Sequence, residues 1–324
     1  MHVATVGLDL AKNVFQVHGV TAAGTVAFNR SLRRAQMLRF FERLEPCVVG
    51  MEACSTSHYW ARELTRLGHT VRLIPPSYVK PYVKRGKSDA ADAEAICEAV
   101  TRPTMRFVEV KSREQQAILS LHRARDLIVR QRTQTINILR GLLAEFGIVL
   151  PKGVGHAMRF ARHGSSQASA TLPEDMHAVI GDLCDALVSL HERVASYGRQ
   201  IAVLARRDPN IARLQTIPGI GPITASAIAS TIGSAHQFRS GRDLAAWLGL
   251  TPLNRSSGGK ERLGRVSKMG DRYIRRLLVI GMTSRIKQIK RRPEAYDPWF
   301  SAILDRKPAK LAAVAMANKT ARIV

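Results

Sequence analysis

The chain has 324 residues, 45% of them hydrophobic, and 50 Lys and Arg against 25 Asp and Glu, a formal net charge of +25. This apolar content excludes a disordered chain and the length allows two or three domains with cores of their own. No apolar run is long enough for a membrane-spanning helix, and so large a positive excess calls for a polyanionic partner, nucleic acid first, because basic side chains gain affinity by releasing counterions from phosphates.

Residues 1–110 read as α/β. Val3–Leu8 is a short strand, Phe15–Val20 and Thr25–Asn29 are two more, and Thr21-Ala22-Ala23-Gly24 between them suits a hairpin turn. A helix is expected over Ser31–Leu44, then strand Cys47–Met51, helix Tyr59–Leu67, and strand Thr70–Ile74, stopped by Pro75-Pro76. Three antiparallel strands followed by βα units is the order of an RNase H-like sheet.

Residues 111–205 read as a helical arm. One helix is expected over 114–146, with Ile118, Leu121, Ile128, Ile136, Leu139 and Leu143 on one face, and a second over 171–205. In the second, apolar residues from Leu172 through Ile180, Leu187 and Val194 to Leu204 recur at spacings of three and four, the stripe of an amphipathic or coiled-coil helix. The Gly- and Ser-rich stretch 151–170 reads as the loop between them. The stripe allows either an antiparallel arm or pairing with another subunit. Residues 206–324 form a third region, in which Ile217-Pro218-Gly219-Ile220-Gly221-Pro222 leads into a small-residue helix, Ile223–Ile232. That is the helix-hairpin-helix pattern, whose backbone N–H groups, at Gly219 and Gly221 here, can hold a phosphate without reading sequence. From Arg239 onward the chain carries 20 Lys and Arg against 6 Asp and Glu, which makes this end the expected nucleic-acid surface.

Four acids stand where solvated surface charges are not expected. Asp9 and Glu52 each end an apolar strand, and Asp89 and Asp92 lie three apart at the start of a helix over Ala90–Val100. Taken singly they have ordinary readings: an Asp after a strand is commonly a turn residue, and Asp89 could cap its helix with Asp92 favoured by the macrodipole. Taken together, carboxylates at the ends of adjacent strands and on one helical turn can converge, and converging carboxylates repel unless cations lie between them. Oxygen ligands of this kind favour Mg²⁺ or Mn²⁺, and paired divalent ions serve in-line displacement at phosphorus. Glu94 points elsewhere on the turn. The cysteines (Cys47, Cys54, Cys97, Cys184) show no metal-binding spacing and read as reduced thiols.

The second informative segment is Thr251–Asp271, where Ser256-Ser257-Gly258-Gly259 is surrounded by Arg255, Lys260, Arg262, Arg265 and Lys268. It can be a flexible phosphate-binding loop, in which Gly permits close backbone approach and Ser donates a hydrogen bond. It can also present a serine nucleophile, which needs activation by a base or a metal. The residues alone favour the loop.

The stretches VGLDLAKN, VVGMEACSTSHYWARELTRLGHTVRLIPP, KRGKSDAADAEAI, LQTIPGIGPITASAIAS, FRSGRDLAAWLGLTP and SSGGKERLGRVSKMGDRYIRRLL are similar to the DEDD transposases of the Piv/MooV type, the IS110 insertion-sequence family with its IS1111 subgroup. The resemblance covers both ends of the chain, with the arm matching in character. It implies an RNase H/RuvC-like domain whose Mg²⁺-binding DEDD set is Asp9, Glu52, Asp89 and Asp92. It also implies a C-terminal transposase domain whose nucleophile maps to Ser257, with Ser256 as its neighbour. By the same resemblance the protein is a site-specific recombinase forming a covalent serine–DNA intermediate, guided by a structured non-coding RNA, and working as a dimer to tetramer. The chain ends at 318–324 inside a helical pattern, where family members usually continue. The alternatives are a junction-resolving nuclease using only the acids and a metal-activated water, or a non-catalytic nucleic-acid-binding protein. The N-terminus lacks the features of a secretory signal, so a cytoplasmic, nucleoid-associated protein is expected.

Overall fold

The computed structural model describes residues 2–84, 86, 88–164, 171–296 and 298–324. Arg85 and Lys87, from the stretch leading into the acidic pair, and the end of the predicted 151–170 loop lie outside the described residues. The protein is mixed α/β and divides into two compact units, Met1–Glu114 and Gln115–Val324. From Gln115 onward, the residues of the predicted arm and of the predicted third region fall in the second unit. Among the described residues no helix is long and apolar enough to cross a membrane.

The first unit is built on a five-stranded sheet: β1 (Thr5–Asp9), β2 (Val14–Val20), β3 (Val26–Arg33), β4 (Val48–Glu52) and β5 (Thr70–Ile74), in the order β3-β2-β1-β4-β5. β1 to β3 are antiparallel neighbours, and β4 runs parallel to both β1 and β5, as the sequence order predicts and consistent with an RNase H-like sheet. Side chains alternate between faces. Val6, Leu8, Phe15, Val17, Val49 and Met51 pack with Phe41 of α1 (Met37–Glu42) and Trp60 of α2 (Ser57–Arg66). The other face receives α4 (Asp89–Val100), which follows the short α3 (Pro76–Val79).

Two details correct the sequence reading. The expected helix over Ser31–Leu44 starts late, because β3 continues to Arg33: Leu32 is buried while Ser31 and Arg33 are exposed, which is strand alternation, and β2 supplies the ladder. The cap of α4 is Ser88, whose hydroxyl accepts from the Ala91 N–H at 3.2 Å. Asp89 is thereby free of the capping role.

The second unit begins with α5, which spans Arg113–Glu145 across the boundary, followed by α6 (Val154–His163) and α7 (Glu174–Arg207). The predicted loop over 151–170 is overturned at α6. Its Ala157 and Met158 insert between α5 and α7, so burial outweighs the Gly and Ser that suggested a loop. The apolar stripe is largely consumed inside the chain, with Ile180, Cys184 and Leu187 packed against Ile136, Leu139 and Leu143. Next come α8 (Pro209–Gln215), α9 (Pro222–Ile232), α10 (Gly241–Trp247), β6 (Pro252–Asn254), β7 (Leu263–Val266), α11 (Arg272–Arg291), α12 (Pro298–Arg306) and α13 (Ala309–Ile323). Ile228, Leu244, Leu278, Met282, Met316 and Ala317 belong to the core of this part.

A buried polar link ties α5 to that core. His122 is 1% exposed, and its ring nitrogens lie 3.1 Å from the Tyr273 hydroxyl of α11 and 3.1 Å from the Ser226 hydroxyl of α9. Burial, then the nearby Arg125 charge, pushes its pKa down from 6.5 to about 4. The unfolded chain therefore binds a proton through that interval that the folded chain refuses. Stability is fully present above the unfolded value and is lost as pH falls toward 4, by up to about 3 kcal/mol. Urea unfolding between pH 4 and 6.5 is expected to show this slope, and His122→Gln is expected to flatten it. An equal slope in the variant would place the titration elsewhere.

Candidate functional site

Glycines set the position of the acids. Gly7 and Gly50 are register partners on β1 and β4, each two residues before an acid, Asp9 and Glu52. A Cβ on Gly7 would run into the Ala93 carbonyl oxygen and lie 2.7 Å from Cys97 Cβ, and one on Gly50 would lie 2.8 Å from Val100 Cβ. All three neighbours are on α4. The helix can therefore settle directly on the strand backbones, which carries its first turn to the strand ends. The repeated Gly-x-acid spacing, Gly7-Leu8-Asp9 and Gly50-Met51-Glu52, is the one signal in the sequence that marks these glycines.

The consequence is an acidic cluster. One oxygen from each of Asp9, Asp89 and Asp92 lies within 4.8 Å of the others. Glu52 does not join that tight set of three. It ends β4, one strand spacing (about 4.8 Å) further across the sheet. Electrostatics nevertheless couples it to the group. Burial raises the Glu52 pKa, and the Asp9 and Asp92 charges raise it further. Asp9 is also held above the ordinary carboxylate value, first by burial and then by Asp92 and Asp89. Among the described residues, no basic side chain contributes to the shift of either acid. Glu94 pairs with Lys84 at 2.5 Å and takes no part. An all-carboxylate donor set fits a hard divalent cation and does not fit a soft thiolate-seeking one.

The serine segment is a hairpin and not a loose loop. Asn254 pairs with Leu263, the Arg255 N–H donates to the Arg262 carbonyl at 2.8 Å, and Ser257 pairs with Lys260. The tip is Gly258-Gly259, with φ of 55° and 73°. Two successive positive φ values are the requirement of a tight hairpin turn whose twist suits the strands, and they explain the paired glycines. By alternation Ser257 shares a face with Arg255, Lys260 and Arg262, while Ser256 lies with Glu261 and Leu263. The two serines also differ in bonding. The Ser256 hydroxyl accepts from the Arg262 N–H at 3.1 Å, and its own N–H donates to Asn254 Oδ1 at 2.8 Å. The Ser257 hydroxyl is exposed and has no hydrogen-bond partner among the described residues.

The base of the hairpin is anchored by a residue the sequence reading passed over. Arg275 Nη1 donates to the Leu248 and Met269 carbonyls, each at 2.7 Å. Lys268 adopts a left-handed φ of 56°, with its N–H donating to the Gly249 carbonyl at 3.0 Å. Arg265 is exposed on β7. Gly219 and Gly221 sit in the turn between α8 and α9. Gly219, at φ 86°, abuts Gly281 and Met282 of α11, so close packing explains it. Gly221, the residue before α9, faces open space.

Residues 6–148 match the DEDD transposase family of the IS110 type, and residues 211–297 match the family described as Transposase IS116/IS110/IS902. A Pseudomonas aeruginosa protein named "Probable family 20 transposase" is 50% identical, over 100% of this chain and 96% of that protein. The transposase for insertion sequence element IS1328 of Yersinia enterocolitica is 38% identical, over 99% of this chain and 96% of that protein. The transposase for insertion sequence element IS1111A of Coxiella burnetii is 37% identical, over 98% of this chain and 87% of that protein.

Proposed function

The chain belongs to the IS116/IS110/IS902 family of insertion-sequence transposases, enzymes that cleave and transfer DNA strands, and we propose that it does so with Ser257 as nucleophile and a divalent cation held by Asp9, Glu52, Asp89 and Asp92. The observation that carries this reading is the contrast between the serines. Ser256 is bound into the hairpin, whereas the Ser257 hydroxyl, on the face of Arg255, Lys260 and Arg262, has no hydrogen-bond partner among the described residues. Those cations, with Arg265 and Lys268 on the same segment, would hold the phosphodiester and offset the charge that develops on its oxygens.

Mg²⁺ or Mn²⁺ bound by the carboxylates would neutralise their repulsion and polarise a phosphoryl oxygen. In the proposed step the Ser257 oxygen bonds to phosphorus as its proton leaves. The bond to the departing strand breaks, and that strand's oxygen takes up a proton. A hydroxyl from a second strand then displaces the serine and rejoins the DNA. Gly221 would add a sequence-independent phosphate contact at the start of α9. A structured guide RNA as second polyanion, and assembly into dimers or tetramers, belong to the same proposal. The charge of +25 is what supports the first.

Denaturing electrophoresis of protein incubated with Mg²⁺, the element's end DNA and RNA from its flanks tests the step. A covalent protein–DNA adduct is expected from wild type and Ser256→Ala, and none from Ser257→Ala. Cut DNA without adduct, unchanged in Ser257→Ala, would favour the metal-activated-water alternative and reduce the serine to a phosphate contact.

A further inference from the structure

One cross-strand row of the sheet runs outward from the acids. Asp9 pairs with Gln16, and Gln16 pairs with Ser31 at the β3 edge. All three side chains point to the face that carries α4. Gln16 is 8% exposed and held at both ends, donating from Nε2 to Asn29 Oδ1 at 2.6 Å and accepting from the Ser31 hydroxyl at 2.6 Å. α4 packs chiefly on β1, β2 and β4, and on β3 Asn29, Ser31 and Arg33 remain exposed. Lys12, in the turn after Asp9, and Arg33, two residues beyond Ser31 on β3, lie on the side of the row toward which β1 ends, and neither forms an ion pair among the described residues.

Cross-strand polar bonds on a wet sheet face stabilise pairing by themselves. That reading accounts for the Gln16 bonds. It does not account for the exposure of Asn29 and Ser31 beside two cations that form no ion pair among the described residues, in line with an acidic cluster. We propose that Asn29, Ser31, Arg33 and Lys12, with Gln16 bracing Asn29 and Ser31 from below, form the track for the DNA strand whose phosphodiester lies at the cation held by the acids. Asn29 and Ser31 would bond sugar and phosphate oxygens, and Arg33 and Lys12 would neutralise phosphates. Ser31 is two strand spacings, about 10 Å, from the Asp9 position. That is within about three nucleotides for a strand rising about 3.4 Å per phosphate. The proposal rests on the proposed function only in that the acids hold the cation that serves strand cleavage.

Hydrogen exchange of the full-length protein with Mg²⁺ and RNA from the element's flanks present throughout, with and without the element's end DNA, reads the track directly. Slowed exchange over 26–33 on adding DNA is expected, while an RNA of the same sequence gives less protection. In cleavage assays Arg33→Glu and Ser31→Ala are expected to raise KM about tenfold, the scale of one lost phosphate contact, with kcat within about twofold. Protection that appears only with the RNA of the same sequence would overturn the assignment to the cut strand. Cleavage without any protection over 26–33 would overturn the track while leaving the proposed function intact. Protection over 26–33 in a wild-type protein that binds but does not cut would retain the contact and count against the proposed function.

Discussion

Asp9→Asn is expected to lower strand cleavage by ~10³-fold or more while making the cation-free protein more stable. The two effects have one cause. Asp9 is half-buried beside Asp89 and Asp92 and is held above the ordinary carboxylate range by burial and by their charge. A carboxyl of that kind binds its proton more tightly folded than unfolded, so stability present in acid is lost as pH rises through the folded value. Asparagine keeps the shape without the charge. The gain should be present at neutral pH without divalent cations and should vanish below the ordinary carboxylate range. The catalytic loss follows because the amide cannot offset cation charge where the reaction develops it, and the loss of one such electrostatic contact costs about 10²–10³-fold or more. Urea unfolding in EDTA and cleavage in Mg²⁺ check both halves. A variant that cleaves normally, or one that is less stable at neutral pH, would make Asp9 a structural residue.

Gly7→Ala should be the most damaging methyl addition in the first unit. The new Cβ meets backbone, the Ala93 carbonyl oxygen, and it has no flexible side chain to displace. Either α4 lifts or β1 bends, for about 3 kcal/mol of stability. Lifting α4 also draws Asp89 and Asp92 away from Asp9. The rise in thermal stability produced by Mn²⁺ in the wild type should therefore shrink in the variant. Gly50→Ala is a control with a milder clash, since its new Cβ meets the Val100 side chain near the far end of the helix. A Gly7→Ala protein of wild-type stability would mean that α4 is not seated by backbone contact.

The sheet was legible in the sequence because its strands obey strong local rules. β1 and β4 are apolar runs each closed by an acid, and Pro75-Pro76 marks the end of β5. What misled was composition read without partners. Gly153 and Gly155 made residues 151–170 look like a loop, yet Ala157 and Met158 are held between α5 and α7. Ser31 and Arg33 looked like the start of a helix because their strand partner, β2, is invisible to a local window. At the acidic site, the residue types and their strand ends could be read directly. The depth at which α4 sits could not, because it depends on glycines that carry no chemistry of their own. The hairpin fared the same way. Its serines and cations were visible, but the distinction between Ser256 and Ser257 rests on a hydrogen bond from Arg262.

The register of that hairpin limits how the segment can change in length. Exposed turns ordinarily accept added or deleted residues, and every residue from 254 to 265 is exposed. Here the count matters. Between the pair Asn254–Leu263 and the turn Gly258-Gly259, each position is assigned to a face. A single inserted or deleted residue in either strand shifts the pairing by one and exchanges the faces beyond it. Ser257 would then turn away from Arg255 and Arg262, with no side chain altered and little loss of folding stability. Among related chains, length changes are therefore expected on either side of this segment and not within it, and a laboratory insertion there should yield a folded protein that binds DNA and forms no adduct.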